Sequence, residues 1–104
     1  HEDIRDYMNL VGLDPDSKKN VKKYSLGMRQ RLGIAQALME DPKVLILDEP
    51  FNGLDKSMTQ RIREILVEEK QKGKTILLVS HNENDISYIC DKIYEIDGGR
   101  IWTV

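Results

Sequence analysis

Two adjacent carboxylates, Asp48 and Glu49, follow the aliphatic run Val44-Leu45-Ile46-Leu47 and precede Pro50. Acids at such a place suit holding a metal ion and activating a water. The aliphatic run predicts a buried strand whose acids emerge at the sheet edge. Strand side chains alternate between faces, so the two acids are expected to do different work. One faces a magnesium ion and its waters, and the other reaches a water poised for attack. Phosphoryl transfer needs metal, positioning and a water-orienting group more than covalent help. A plain polar strand end is the alternative. The aliphatics before the pair and Asn52-Gly53-Leu54-Asp55 after it favour the functional reading.

Two further groups fit the same chemistry. Ser25 and Gly27 stand where a helix is predicted to begin, and the first turn of a helix points free N–H groups and the positive dipole end at an anion. Gly27 permits close backbone approach, and the Ser25 hydroxyl adds a donor. A capped amphipathic helix with no ligand fits those residues equally well. His81 directly follows the run Ile76-Leu77-Leu78-Val79 and Ser80. Ligands bind at the C-terminal tips of parallel strands in open α/β sheets, where a histidine can contact phosphate or orient water. A lone loop histidine carries no such meaning; its place beside a second, acid-tipped strand supplies it.

The elements that must position these groups follow from periodicity. Ile4, Tyr7, Met8 and Val11 form one apolar helical face, ended by Gly12 and Asp14-Pro15-Asp16. Ser17 to Lys23 is polar and lysine-rich, expected as a solvated loop or helix face. Ser25 is placed to N-cap a helix running to about Glu40, with Leu32, Ala35, Leu38 and Met39 on its buried side. Met28 stands where a capping box would put Glu or Gln, and Asp41-Pro42 breaks the helix. Strands are predicted at Lys43–Leu47 and Thr75–Ser80. Between them Met58, Ile62, Ile65 and Leu66 mark a helix closed by Gly73. Strand, helix, strand is the βαβ unit, so the two strands should be parallel. A short helix at Glu83–Cys90 should turn Ile86, Ile89 and Cys90 inward. Lys92–Ile96 and Arg100–Val104 read as a hairpin around Asp97-Gly98-Gly99.

Composition sets limits. The 104 residues suffice for one small domain or part of a larger one. A formal net charge of -2 gives no general attraction to nucleic acid or anionic membrane. The local cluster Lys18, Lys19, Lys22 and Lys23 is offset by acids elsewhere. Cys90 is the single cysteine, which excludes an internal disulfide and fits a reduced cytoplasmic setting. No apolar run approaches the roughly 20 residues of a membrane helix, and no signal peptide is visible. The start at His1 rather than methionine suggests processing or a fragment.

Taken in order, these pieces resemble the ATP-binding subunit of ABC transporters. Leu45–Pro50 is similar to the Walker B strand with its catalytic glutamate, and Tyr24–Gln30 to the signature motif. Asn52–Asp55 is similar to the D-loop and Ser80-His81 to the switch histidine. The stretch Gln30–Leu38 is also family-like, so the resemblance covers nearly the whole chain. It implies an α/β fold: part of a P-loop NTPase, with a parallel βαβ core and a C-terminal hairpin. Residues 1–42 would belong to the helical subdomain and residues 43–104 to the ATPase core. The implied ligands are ATP and magnesium (Mg2+). The resemblance gives Asp48 the magnesium, Glu49 the role of general base, and His81 the γ-phosphate. Ser25 and Gly27 would bind the γ-phosphate of an ATP held by a second, head-to-tail subunit, and Asp55 would act across the same interface. Transmembrane permease subunits are the other implied partners, which places the protein on the inner face of the cell membrane; no nucleic acid is expected.

The departures shape what is expected of this chain. Family signatures commonly read Leu-Ser-Gly-Gly-Gln; here Leu26 replaces the first glycine and Met28 the glutamine. The variant Ser-Leu-Gly-Met resembles exporters of antibiotic peptides or related compounds. No Gly-x-x-x-x-Gly-Lys-Ser/Thr occurs in the chain, so the cradle for β- and γ-phosphates is missing. The chain alone is therefore expected neither to bind ATP tightly nor to hydrolyse it. Missing upstream strands should also leave apolar sheet surface uncovered along Val44–Leu47 and Ile76–Val79. Two other readings stand beside this one: a soluble ABC-type ATPase acting on ribosomes or DNA, and a non-catalytic interaction module from a truncated ATPase.

Overall fold

The computed structural model describes residues 4–16 and 25–103. The lysine-rich stretch 17–23 and the first residue of the signature-like motif, Tyr24, lie outside the described residues. The elements are α1 (Ile4–Leu10), α2 (Leu26–Met39), β1 (Val44–Asp48), α3 (Lys56–Gln71), β2 (Thr75–Val79), α4 (Glu83–Ile89), β3 (Tyr94–Asp97) and β4 (Arg100–Thr103).

The predicted βαβ unit forms. β1 and β2 pair in parallel, with Val44 opposite Thr75 and Asp48 opposite Val79. The helix between them starts where the Asp55 carboxylate accepts from the Met58 N–H at 2.8 Å. It ends at Gly73, whose positive φ of 96° allows the reversal into β2. Along α3, Ile62, Ile65 and Leu66 are buried, as their spacing predicts. They meet Ile34, Ala35 and Leu38 of α2, Leu45 and Leu47 of β1, and Ile89 of α4 in one aliphatic core. On α2 the buried stripe differs from expectation at its ends. Ile34 is buried and Met39 is 38% exposed, while Leu32 packs at the margin. α1 joins the same core through Tyr7 and Met8, and the residues just past it, Val11 and Leu13, are buried. Arg61 of α3 ties down its end by donating to the Leu10 carbonyl at 2.7 Å.

β1 is buried along one face alone. Only Leu45 and Leu47 of β1 face the core; Val44 is 53% and Ile46 69% exposed. On β2, Leu77 at 55% and Val79 at 48% extend the same open face. The physical reason is that the described helices bring apolar side chains to one side of the pair. The anticipated uncovered surface is thus present. β3 and β4 form a separate antiparallel sheet. Its two-residue loop, Gly98-Gly99, has φ of 55° and 79°, a turn that residues with a Cβ rarely adopt. The strand begins at Tyr94 rather than Lys92.

Candidate functional site

Glu49 sits immediately beyond β1, and the structure corrects the simple strand-alternation picture there. Its φ is 48°, so it has left the extended conformation and turned into the left-handed region. Side chains other than glycine hold that geometry only where the surroundings over-determine it. Three hydrogen bonds do so. The Glu49 N–H donates to the Val79 carbonyl at 2.8 Å, and its own carbonyl accepts from the Asn52 N–H at 3.3 Å. The same carbonyl accepts from Gln30 Nε2 of α2 at 2.9 Å.

The turned backbone delivers the Glu49 carboxylate to His81. Glu49 Oε1 is in hydrogen-bond contact with His81 Nδ1. The carboxylate is 25% exposed and the imidazole 94% exposed, so the pair is open to a ligand. His81 Nε2 has no partner among the described residues. The loop carrying His81 is built from local turns: the Asn82 N–H donates to Ser80 Oγ at 3.1 Å, and Asn82 Oδ1 caps α4. Beneath it, Arg63 of α3 grips the buried Asp85 carboxylate and lies over the Tyr88 ring at 5.5 Å. Periodicity did not reveal that ion pair. A charged residue at an otherwise polar helix position carries no signal of the partner that buries it.

Asp48 ends β1 with an exposed carboxylate that engages no side chain or backbone group among the described residues. Among the described residues no cluster of three or more His, Cys, Asp or Glu side chains is assembled for a metal. One open carboxylate at a strand tip nevertheless suits magnesium, which is usually held by one or two carboxylates, waters and a substrate's phosphates.

The signature-like residues Ser25 to Met28 open α2. Ser25 Oγ accepts from the Met28 N–H at 3.1 Å, so the serine is the N-cap that its position predicts. Leu26 is helical and exposed, with its φ outside the positive range. Gly27 is buried, and its close approach is to protein: a Cβ there would come 2.5 Å from the Gly53 carbonyl oxygen. The loop 52–55 is thereby held on the first turn of α2. Asp55 caps α3. An open cleft of about 500 Å³ lies between this loop and α4, lined by Glu49, Asn52, Lys56, Gln60, Ser80 and Asn82 among others. Asp48, Ser25, Gly27, Asp55 and His81 do not line it. Lys56 and Gln60 escaped the sequence reading because their helix positions resemble any solvated face.

Parallel strands backed by helices, with polar groups at their C-terminal tips, define a ligand-handling α/β domain. The chain belongs to the ABC transporter family, whose model matches residues 1–52. It is 45% identical over 101 residues to the uncharacterized ABC transporter ATP-binding protein YybJ of Bacillus subtilis, covering 97% of this chain and 46% of the relative. It is 48% identical over 94 residues to the lantibiotic transport ATP-binding protein SrtF of Streptococcus pyogenes, covering 90% and 41%. A fluoroquinolones export ATP-binding protein of Mycobacterium tuberculosis is 42% identical over 91 residues, covering 88% and 30%. The crystal structure of an ATP-binding cassette of an ABC transporter, in its ADP conformation, superimposes with a TM-score of 0.71 at 27% identity, over 95% of this chain and 39% of that one. The fold is accordingly that of a P-loop NTPase cassette. The chain spans about half the length, or less, of the curated relatives it matches. No described helix is long and apolar enough to cross a membrane.

Proposed function

We propose that this chain is the part of a transporter ATP-binding subunit that carries the water-activating and partner-facing groups of the ATPase site. The observation that supports this most directly is the Glu49 carboxylate held against His81 at the C-terminal edge of the parallel pair. In this reading Glu49 accepts the proton of the attacking water, and His81 orients Glu49 through Nδ1 while its other nitrogen faces the terminal phosphate. Asp48 holds magnesium, which when bound supplies positive charge to the phosphate oxygens. The N-terminus of α2, with Ser25 and Gly27, meets the γ-phosphate of an ATP on a second, head-to-tail subunit. Asp55 acts at that interface while also capping α3. Residues 1–42 serve as part of the helical subdomain and residues 43–104 as the C-terminal part of the ATPase core. The intact protein works on the cytoplasmic face of the membrane and drives transport through permease subunits. Export of antibiotic peptides or related compounds fits the Ser-Leu-Gly-Met variant and the names of two relatives, a lantibiotic transport and a fluoroquinolones export ATP-binding protein.

The test is magnesium-dependent ATP turnover by the intact protein. Glu49→Gln is expected to lower turnover by about 10²–10⁴-fold, the range for loss of a general base. Unchanged turnover would remove Glu49 from the mechanism. The 104-residue chain alone is expected to show no turnover, since it carries no phosphate loop. Magnesium-dependent hydrolysis by that chain, abolished by Glu49→Gln, would overturn the expectation.

A further inference from the structure

We infer that Gln30 is a positioning residue for ATP hydrolysis: its side-chain amide sets the backbone of Glu49 and thereby aims the Glu49 carboxylate. The inference rests on the role proposed above for Glu49. Gln30 lies on α2, in the second turn after the Ser25 cap. It spans to the end of β1 and donates from Nε2 to the Glu49 carbonyl at 2.9 Å, in a part-buried setting. The residue it grips is one of two described non-glycine residues with positive φ; the other, Asp41, lies at the opposite end of β1.

The geometry explains why this bond matters to a side chain that Gln30 does not touch. At a residue in the left-handed region, relaxation toward an ordinary φ rotates the Cα–Cβ bond and swings the carboxylate away from its target. The Glu49 N–H is fixed by β2 through Val79. Among the described residues the carbonyl is held by two donors, the Asn52 N–H at 3.3 Å and Gln30 Nε2 at 2.9 Å. The Asn52 bond is the longer, and it closes a local turn three residues on. Gln30 supplies the shorter of the two, from a helix 19 residues away in sequence. Gly27, on the preceding turn of α2, fixes that helix against Gly53 with no room for a Cβ. The donor thus comes from an anchored frame. A misplacement of a reacting group by about 1 Å can cost on the order of 10²-fold in rate.

The experiment uses the intact ATP-binding protein. Gln30→Met keeps length and helix propensity but removes the donor, and Gln30→Glu puts an acceptor against the carbonyl. Both are expected to lower kcat by about 10- to 100-fold while leaving the KM for ATP within about twofold. Gln30→Lys, which restores a donor of similar reach, is expected to recover part of kcat. A second readout is ATP-driven dimer formation in the Glu49→Gln background, which is expected to be the same with and without Gln30→Met. Unchanged kcat in Gln30→Met, with Glu49→Gln still inactive, would overturn this inference and leave the role of Glu49 standing. Glu49→Gln at full activity would instead remove the role of Glu49. Parallel losses in KM, dimer formation and folded yield would make Gln30 a stability residue and equally overturn it.

Discussion

At the residue scale, Glu49, Gly27 and Asp85 each depend on a neighbour far away in sequence. Gly27 is required because the Gly53 carbonyl occupies the place of a side chain. Backbone cannot yield as the end of a flexible side chain can, so Gly27→Ala is expected to lower stability by about 1–3 kcal/mol, measurable by urea unfolding. An unchanged midpoint would show that the loop 52–55 moves aside freely. Asp85 is a second case. Its carboxylate is 5% exposed and is held by Arg63, itself 20% exposed. Asp85→Ala leaves a mostly covered guanidinium without its carboxylate, with an expected loss of about 2–3 kcal/mol, below the 3–5 of a fully buried pair. Replacing both partners together with apolar residues should recover most of that loss, and a double-mutant cycle reads the difference. The acid-tipped run 44–50 and His81 were legible in the sequence because type and local order alone mark them. Gln30 with Glu49 and Arg63 with Asp85 were not, since 19 and 22 residues separate the partners.

At the element scale, two helices begin at residues that also carry proposed functions. Ser25 and Asp55 each accept from the N–H three residues on, in α2 and α3. Substituting either by alanine should cost about 1 kcal/mol of stability through the cap alone. Asp55→Asn separates the roles, because asparagine caps as well as aspartate but carries no charge. Retained stability with reduced ATPase activity of the intact dimer is the expected outcome; retained activity would make Asp55 a cap and nothing more. The C-terminal end of α3 carries a charge network. Glu69 accepts from Lys74 at 2.8 Å and pairs with Lys72 at 3.0 Å. Burial pushes the Glu69 carboxyl up, but the hydrogen bonds from Lys74 and Lys72 outweigh it and hold it below its ordinary value. A depressed native pKa means stability that is fully present above the unfolded value, about 4.3. That stability is lost as pH falls through the lower native value. Unfolding midpoints taken from about pH 6 down to pH 3 should therefore fall less steeply in Glu69→Gln than in the parent. Parallel curves would show that the network contributes nothing to acid sensitivity. Hydrogen bonds to Asp41 and Glu69 raise Lys74, so its contribution persists through neutral pH and is lost only as pH rises through that raised value.

At the scale of the whole molecule, the described elements cover one face of a two-stranded sheet and leave Val44, Ile46, Leu77 and Val79 open on the other. Contiguous apolar surface of this kind drives association in water. The isolated chain is expected to self-associate, and Ile46→Lys with Leu77→Glu is expected to shift it toward monomer in sedimentation velocity. A monomeric parent chain at high concentration would refute this. The amino-acid sequence by itself determined the order of elements, the parallel pair, the glycine hairpin turn and the acids and histidine at the strand tips. Periodicity, caps and turn residues act over a few positions, so local order suffices to specify them. Only the tertiary structure decided that Glu49 turns out of the strand, that Gln30 holds it there and that Gly27 meets protein backbone. It also decided which face of each strand is covered. Those outcomes depend on which distant surfaces come into contact, and a helical or strand period states that a face is apolar without stating what lies against it.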